Sequence, residues 1–172
     1  GGDKADYDAI VSGEAIDGTL TAWNELIGIA DAGLGDGVMS GNIAAYAALG
    51  QRLDVDMFID YILANLYNCN IDWPGHLANR NWRAAGPRDP GHGGFRVFSW
   101  DAEICFDSGW YDTVRPVGYD NVSTMGDWDN TPARLYQRLR TNTEYRMRFA
   151  DRAHRHLFNG GALTPQKVRD RW

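Results

Sequence analysis

Between Asp54 and Leu66 the sequence leaves little structural choice. Val55, Phe58, Ile59, Ile62, Leu63 and Leu66 recur at the period of an α-helix, so one side of that helix must be buried. Asp54 stands where a side chain can cap the first turn, and Asp56 and Asp60 fall in the early turns, where the helix dipole favours anions. The pattern stops at Tyr67-Asn68-Cys69-Asn70. A helix this well defined is a pillar against which the following loop can be held. With 172 residues, 44% hydrophobic and 23% charged, the chain is long enough for one domain with its own core.

The flanking segments complete an α+β fold, mostly α. Tyr7 to Val11 alternates apolar and polar residues and is bounded by Gly13, a short strand. Thr19 to Ala30 places Leu20, Trp23, Leu26, Ile27 and Ala30 on one helical face, with Asp17 or Thr19 as its cap. Gly33 to Gly37 follows a helix and lacks the Lys-Ser/Thr ending of a phosphate loop, so it reads as a linker. Ala44 to Leu53 is helical. Asn81 to Ala85 and Phe95 to Trp100 read as two strands of a hairpin joined by Gly86 to Gly94. Residues 107–130, rich in Gly, Asp, Asn and Trp, make a loop long enough to suggest function. Thr131-Pro132 starts a helix with Leu135 and Leu139 inward, and Thr141-Asn142-Thr143-Glu144 fits a capping box for the next. Tyr145, Phe149, Ala153 and Leu157 then form a core stripe that Asn159-Gly160-Gly161 ends, and Thr164-Pro165 starts a last helix.

A net charge of -6 gives no footprint for nucleic acid or an anionic membrane, and no apolar run reaches the roughly 18 residues of a membrane span. Cys69 and Cys105 lack metal-site spacing; we expect two buried thiols, with a single disulfide as the alternative. His76 and His92 lie in Gly/Pro loops without the spacing of a zinc site, and His154 and His156 cannot share a helix face. The arginines from Arg134 to Arg155 read as a solvated face laced with salt bridges, against the alternative of docking an acidic substrate.

Two stretches carry chemistry. Asn70-Ile71-Asp72-Trp73-Pro74, followed by Asn81-Trp82, puts a carboxylate and amides directly after the pillar helix. Ser99-Trp100-Asp101-Ala102-Glu103 puts two acids just past a strand end. Phosphoryl transfer needs one carboxylate to orient a hydroxyl, a second to hold Mg2+ against phosphates, and an amide oxygen to complete the metal shell. Loop Asp and Asn residues also serve as local backbone caps, and spacing alone leaves both readings open.

The combination of Asp56-Met57-Phe58-Ile59-Asp60-Tyr61, Asn70-Ile71-Asp72-Trp73-Pro74, Asn81-Trp82 and Phe95-Arg96-Val97-Phe98-Ser99-Trp100-Asp101-Ala102-Glu103 resembles the CotH kinase family. So does Phe149-Ala150-Asp151-Arg152-Ala153-His154 with Asn159-Gly160-Gly161-Ala162-Leu163-Thr164-Pro165, which is similar to a bacterial branch of that family, and the likeness runs in order from about Tyr7 to Trp172. The resemblance implies the helical C-terminal lobe of a protein-kinase-like fold with a short β-hairpin at the active site. It implies transfer of phosphate from ATP, with Mg2+, to Ser or Thr of secreted or surface proteins. Asp72 matches the catalytic acid and Asp101 the Mg2+ ligand; Asn81 matches a second ligand, with Asn79 its rival because the intervening segment is long. Glu103 is either a ligand or a loop anchor, and Asn70, Trp73 and Trp100 would flank the nucleotide. Neither Lys4 nor Lys167 suits the phosphate-clamping lysine of a kinase, and the chain starts at Gly1 without Met and stops in a helical pattern at Trp172. Residues 1–172 are therefore expected to be a partial domain, inactive without an upstream lobe. A surface module binding carbohydrate or protein through Trp73, Trp82, Trp100, Trp110 and Trp128 is the alternative.

Overall fold

The computed structural model describes residues 3–34, 43–68, 70, 73, 81–103, 105 and 130–171. After a short 3-10 turn at Lys4–Asp6 come strands β1 (Tyr7–Val11) and β2 (Glu14–Asp17), then helices α1 (Thr21–Leu34), α2 (Ile43–Gly50) and α3 (Val55–Tyr67). Strands β3 (Trp82–Pro87) and β4 (Arg96–Ser99) follow, and α4 (Pro132–Leu139), α5 (Thr143–Leu157) and α6 (Pro165–Arg171) close the chain. The expected α+β, mostly helical class is observed.

The hairpin of β3 and β4 is half of a larger sheet. Four antiparallel strands lie in the order β2-β1-β3-β4, with Ile10 opposite Ala84 and Ala84 opposite Val97 on the buried face. Sequence reading missed β2, because Glu14-Ala15-Ile16-Asp17 is an exposed edge with no apolar alternation. Its signal was the turn: Ser12 and Gly13 both have positive φ, at 50° and 92°, the conformation of a two-residue hairpin whose twist matches its strands. Asp17, expected as a helix cap, instead pairs with Lys4 at 2.9 Å, while the Thr19 hydroxyl accepts from the Thr21 amide.

The core centres on Trp23 of α1, which stacks on Trp82 of β3 with centroids 5.3 Å apart and meets Phe95 edge-on, also at 5.3 Å. All three are fully buried, and the Trp23 indole N–H donates to the Asn130 carbonyl. Each such aromatic pair is worth about 0.5–1.5 kcal/mol beyond its area, so this cluster fixes the helices on the sheet. α1 also packs on α2 and α4, and α3 lies between β4 and α5.

Asp54 caps α3 as expected, accepting from the Met57 amide. The entry to α3 is clamped on β4: the Phe95 amide donates to Arg52 O at 2.7 Å and the Asp54 amide to Phe95 O at 3.0 Å. Gly94 makes this possible. Its φ is +69°, and a Cβ there would stand 2.5 Å from the backbone of Leu53.

Arg134 to Arg155 do form salt bridges, and these tie helices together. Arg134 and Arg138 both bind Asp31 at 2.9 Å, Arg148 binds Asp56 at 2.6 Å, and Arg152 bridges Asp56 and Asp60. His156 also lies 3.0 Å from Asp60. One boundary moves: Asn142, not Thr141, caps α5 through the Tyr145 amide, and the Thr141 hydroxyl donates to Arg138 O, so no reciprocal capping box forms. Cys105 is half-buried; Cys69, most of the Gly33–Gly37 linker and residues 107–129 lie outside the described residues.

Two consequences are measurable. Burial disfavours the charged form of Asp60, but the hydrogen bond and charge of Arg152, with His156, outweigh it and lower its pKa. Asp56 is lowered chiefly by the Arg148 hydrogen bond. Groups with a depressed folded pKa stabilise fully above their unfolded value, about 3.9, and lose that contribution as pH falls through the folded one. Urea midpoints should therefore be flat in this contribution from pH 7 to about 5 and drop below about 4, and Asp60→Asn should show a smaller acid loss from a lower starting stability. Gly94→Ala should cost about 1–3 kcal/mol by chemical denaturation, from the left-handed backbone and the clash with Leu53.

Candidate functional site

The last turn of α3 carries a polar residue where its apolar stripe would place another hydrophobe. Asn65 falls three residues after Ile62 and seven after Phe58 and is buried with them, 2% exposed. Its amide nitrogen donates to Tyr61 O at 2.8 Å and to the Ser99 hydroxyl at 3.0 Å. Its side-chain oxygen accepts from the Asn70 amide at 2.8 Å, and its carbonyl accepts from the Asn70 backbone N–H at 3.0 Å. Asn70, also buried, is thus held on the end of α3, and α3 is held on the last residue of β4. Sequence reading missed Asn65. A lone amide in register with an apolar stripe was the available signal.

The same end of the sheet gathers most of the other expected residues. Trp82 pairs with Ser99, and one step further the Trp100 amide donates to Asn81 O at 3.2 Å. Asn81 and Asp101, on either side of this bond, both take left-handed backbone conformations, with φ of 60° and 53°. Asn and Asp tolerate that region better than other side chains, and residues held in it concentrate at functional sites. Asp101 and Glu103 are exposed, and Asn81 is half-buried. Trp100 is 53% exposed, with the Arg83 guanidinium carbon 3.6 Å from its ring centroid. The Arg83 Nε is buried with no acceptor among the described residues.

Trp73 stands elsewhere than a nucleotide-stacking role would place it. It is 1% exposed and packs edge-on against Tyr61, centroids 5.7 Å apart, as part of the core. Trp82 is likewise core. Asp72, Asn79 and His76 lie outside the described residues, as do Trp110 and Trp128. Asp72 is flanked two residues earlier by buried Asn70 and one residue later by buried Trp73. His92 is remote from Asp101. It lines a surface cavity of about 340 Å³ with Tyr7, Arg96 and Phe98 at the opposite end of the sheet.

Among the described residues no three His, Cys, Asp or Glu side chains cluster closely enough to cage a metal. Among the described residues, Asp101 and Asn81 at the sheet end and Glu103 two residues beyond Asp101 carry oxygen donors. Such a hard, partly solvated set fits Mg2+, which keeps several waters and takes one or two carboxylates plus substrate phosphates, and does not fit Zn2+. No helix among the described residues is long and apolar enough to cross a membrane.

Against known families, the one described as CotH kinase protein matches residues 37–171. No curated protein and no solved structure matches the chain. The matched stretch runs from α2 to α6 and contains Asn65, Asn70, Asp72, Asn81, Asp101 and Glu103, while β1, β2 and α1 precede it. It covers well over half of the 172 residues, and the chain belongs to the CotH kinase family.

Proposed function

We propose that this chain carries the phosphoryl-transfer site of a CotH-type protein kinase, within the helical lobe of a kinase-like domain. The observation that supports it best is the convergence of Asn70, Asn81, Trp100 and Asp101 at one end of the sheet, from three separate segments. Asp72 orients the attacking hydroxyl of a Ser or Thr side chain and draws its proton; Asp101 holds Mg2+, with Asn81 and Glu103 as further oxygen donors. When bound, Mg2+ neutralises charge developing on the ATP phosphates. Trp100, exposed beside Asp101, offers an aromatic face to the nucleotide or substrate. The family resemblance extends the substrate class to secreted or surface proteins.

A lysine clamp for the phosphates has no candidate among the described residues. Lys4 is paired with Asp17 at the opposite end of the sheet, and exposed Lys167 belongs to α6. We assign that clamp to a segment beyond residues 1–172, and the chain alone should be inactive or nearly so.

A second reading has one observation in its favour. Tyr7, Ile16, Phe98 and Trp100 are all exposed on β1, β2 and the β4 end, which a surface-binding module could use. That reading loses Trp73 and Trp82 to the core, and it predicts indifference to loss of Asp72 and Asp101.

The left-handed backbone at Asp101 decides the choice of variant. Asp101→Asn removes the charge while keeping a side chain suited to φ of 53°, whereas Asp101→Ala adds about 1 kcal/mol of backbone strain to any functional loss. In a longer protein carrying residues 1–172, Mg2+-dependent ATP binding and autophosphorylation should be present. Asp72→Asn and Asp101→Asn should each lower phosphoryl transfer by about 10²-fold or more with unchanged circular dichroism. Unaltered transfer in both variants, or no nucleotide binding in the wild type, would refute the kinase proposal.

A further inference from the structure

A buried amide in an apolar stripe costs stability unless its hydrogen bonds are made, and Leu at position 65 would fill the same space without that cost. What Asn65 supplies instead is connection. Its side chain joins two segments: Asn70, two residues before Asp72, and Ser99, two residues before Asp101. The other flank of Asp72 is fixed by Trp73, which packs on Tyr61, and Tyr61 O is the carbonyl that Asn65 holds. Buried Asn70 and Trp73 and the strand-end Ser99 thus converge on one helical turn, around an amide whose own donors and acceptor are engaged, and such a connection favours one arrangement of the chains it joins.

We propose that Asn65, by holding Asn70 and Ser99 on one helix end, is a positioning residue for phosphoryl transfer. This rests on the kinase function proposed above. Asn65 touches no reacting group. It ties Asn70 and Ser99 to the end of α3 rather than leaving them on two independent loops. Groups behind the reacting residues commonly matter at this level, because small misplacement lowers the rate of the chemical step more than it weakens binding.

Ser99 offers the gentler probe, since it lies at a strand end on the sheet margin and its truncation leaves the core intact. In the longer protein with measurable autophosphorylation, Ser99→Ala should lower kcat by about ten- to hundredfold while KM for ATP changes by about twofold or less. Its thermal midpoint should stay within a few degrees, and Ser99→Thr, which keeps the hydroxyl, should restore kcat. Asn65→Asp, nearly isosteric but without the amide donor, should show the same split. Combined with Ser99→Ala it should lose little more than either alone, because both break one link. An active wild type whose kcat survives both changes would overturn the positioning role while leaving the kinase function standing. So would loss of kcat only in proportion to loss of folded protein. A wild type that neither binds Mg-ATP nor transfers phosphate would overturn the kinase function, and the positioning role with it.

Discussion

Two-point attachment of α3 to β4 governs the arrangement of everything at the Asp101 end of the sheet. At the entry, Phe95 exchanges backbone hydrogen bonds with Arg52 and Asp54; at the exit, Ser99 meets Asn65. From Asp54 to Asn65 the helix rises about 16 Å, and from Phe95 to Ser99 the strand extends about 13 Å. Side chains on a helix lean toward its N-terminus, so an amide at position 65 can reach back to cover that difference. A helix fixed at a single point could rotate or slide on the sheet. Fixed at both, with Phe58, Ile59 and Ile62 buried between, it has one register.

That register explains why strained backbone appears where it does. Asn81 and Asp101 flank the last bond of the β3–β4 ladder, and both take left-handed conformations. A chain leaving a strand would ordinarily continue extended or turn through glycine. Here the two positions are held by Asn and Asp, which tolerate that region at a modest conformational cost. The glycine is spent instead at Gly94, where close approach of the Leu53 backbone leaves no room for a Cβ.

The sequence announced those parts whose physics is local. The α3 stripe, the Asp54, Thr131-Pro132 and Asn159-Gly160 signals, and the β3–β4 hairpin all follow from periodicity and short-range capping. What escaped depended on partners far along the chain. β2 has no apolar pattern because only its backbone is used, and β1 meets β3 across more than seventy residues. Asn65 looked like an interruption in a stripe, because the segments it joins are five and thirty-four residues away. Trp73 and Trp82 looked alike as aromatic loop residues; burial alone separates them from Trp100. The arginines between 134 and 155 were readable as ion-pairing, but their partners Asp31, Asp56 and Asp60 sit on other helices and turn surface charge into interhelical struts.

Those struts bear on how an anionic substrate can be met at all. Arg52, Arg88, Arg96, Arg134, Arg138, Arg148 and Arg152 each have a carboxylate partner, so these seven charges are already engaged within the fold. The net charge is -6, and the acids at the sheet end, Asp101 and Glu103, would repel a polyphosphate brought near them. Two like unit charges 4 Å apart near a protein surface repel by about 4 kcal/mol, which hydrogen bonds from neutral groups do not offset. If phosphate is handled here as proposed, a divalent cation has to come between the acids and the nucleotide. Arg83, stacked on Trp100, has no carboxylate partner among the described residues and stands two residues from Asn81. On the proposed function, the acids Asp101 and Glu103 would make nucleotide binding depend on an intervening metal.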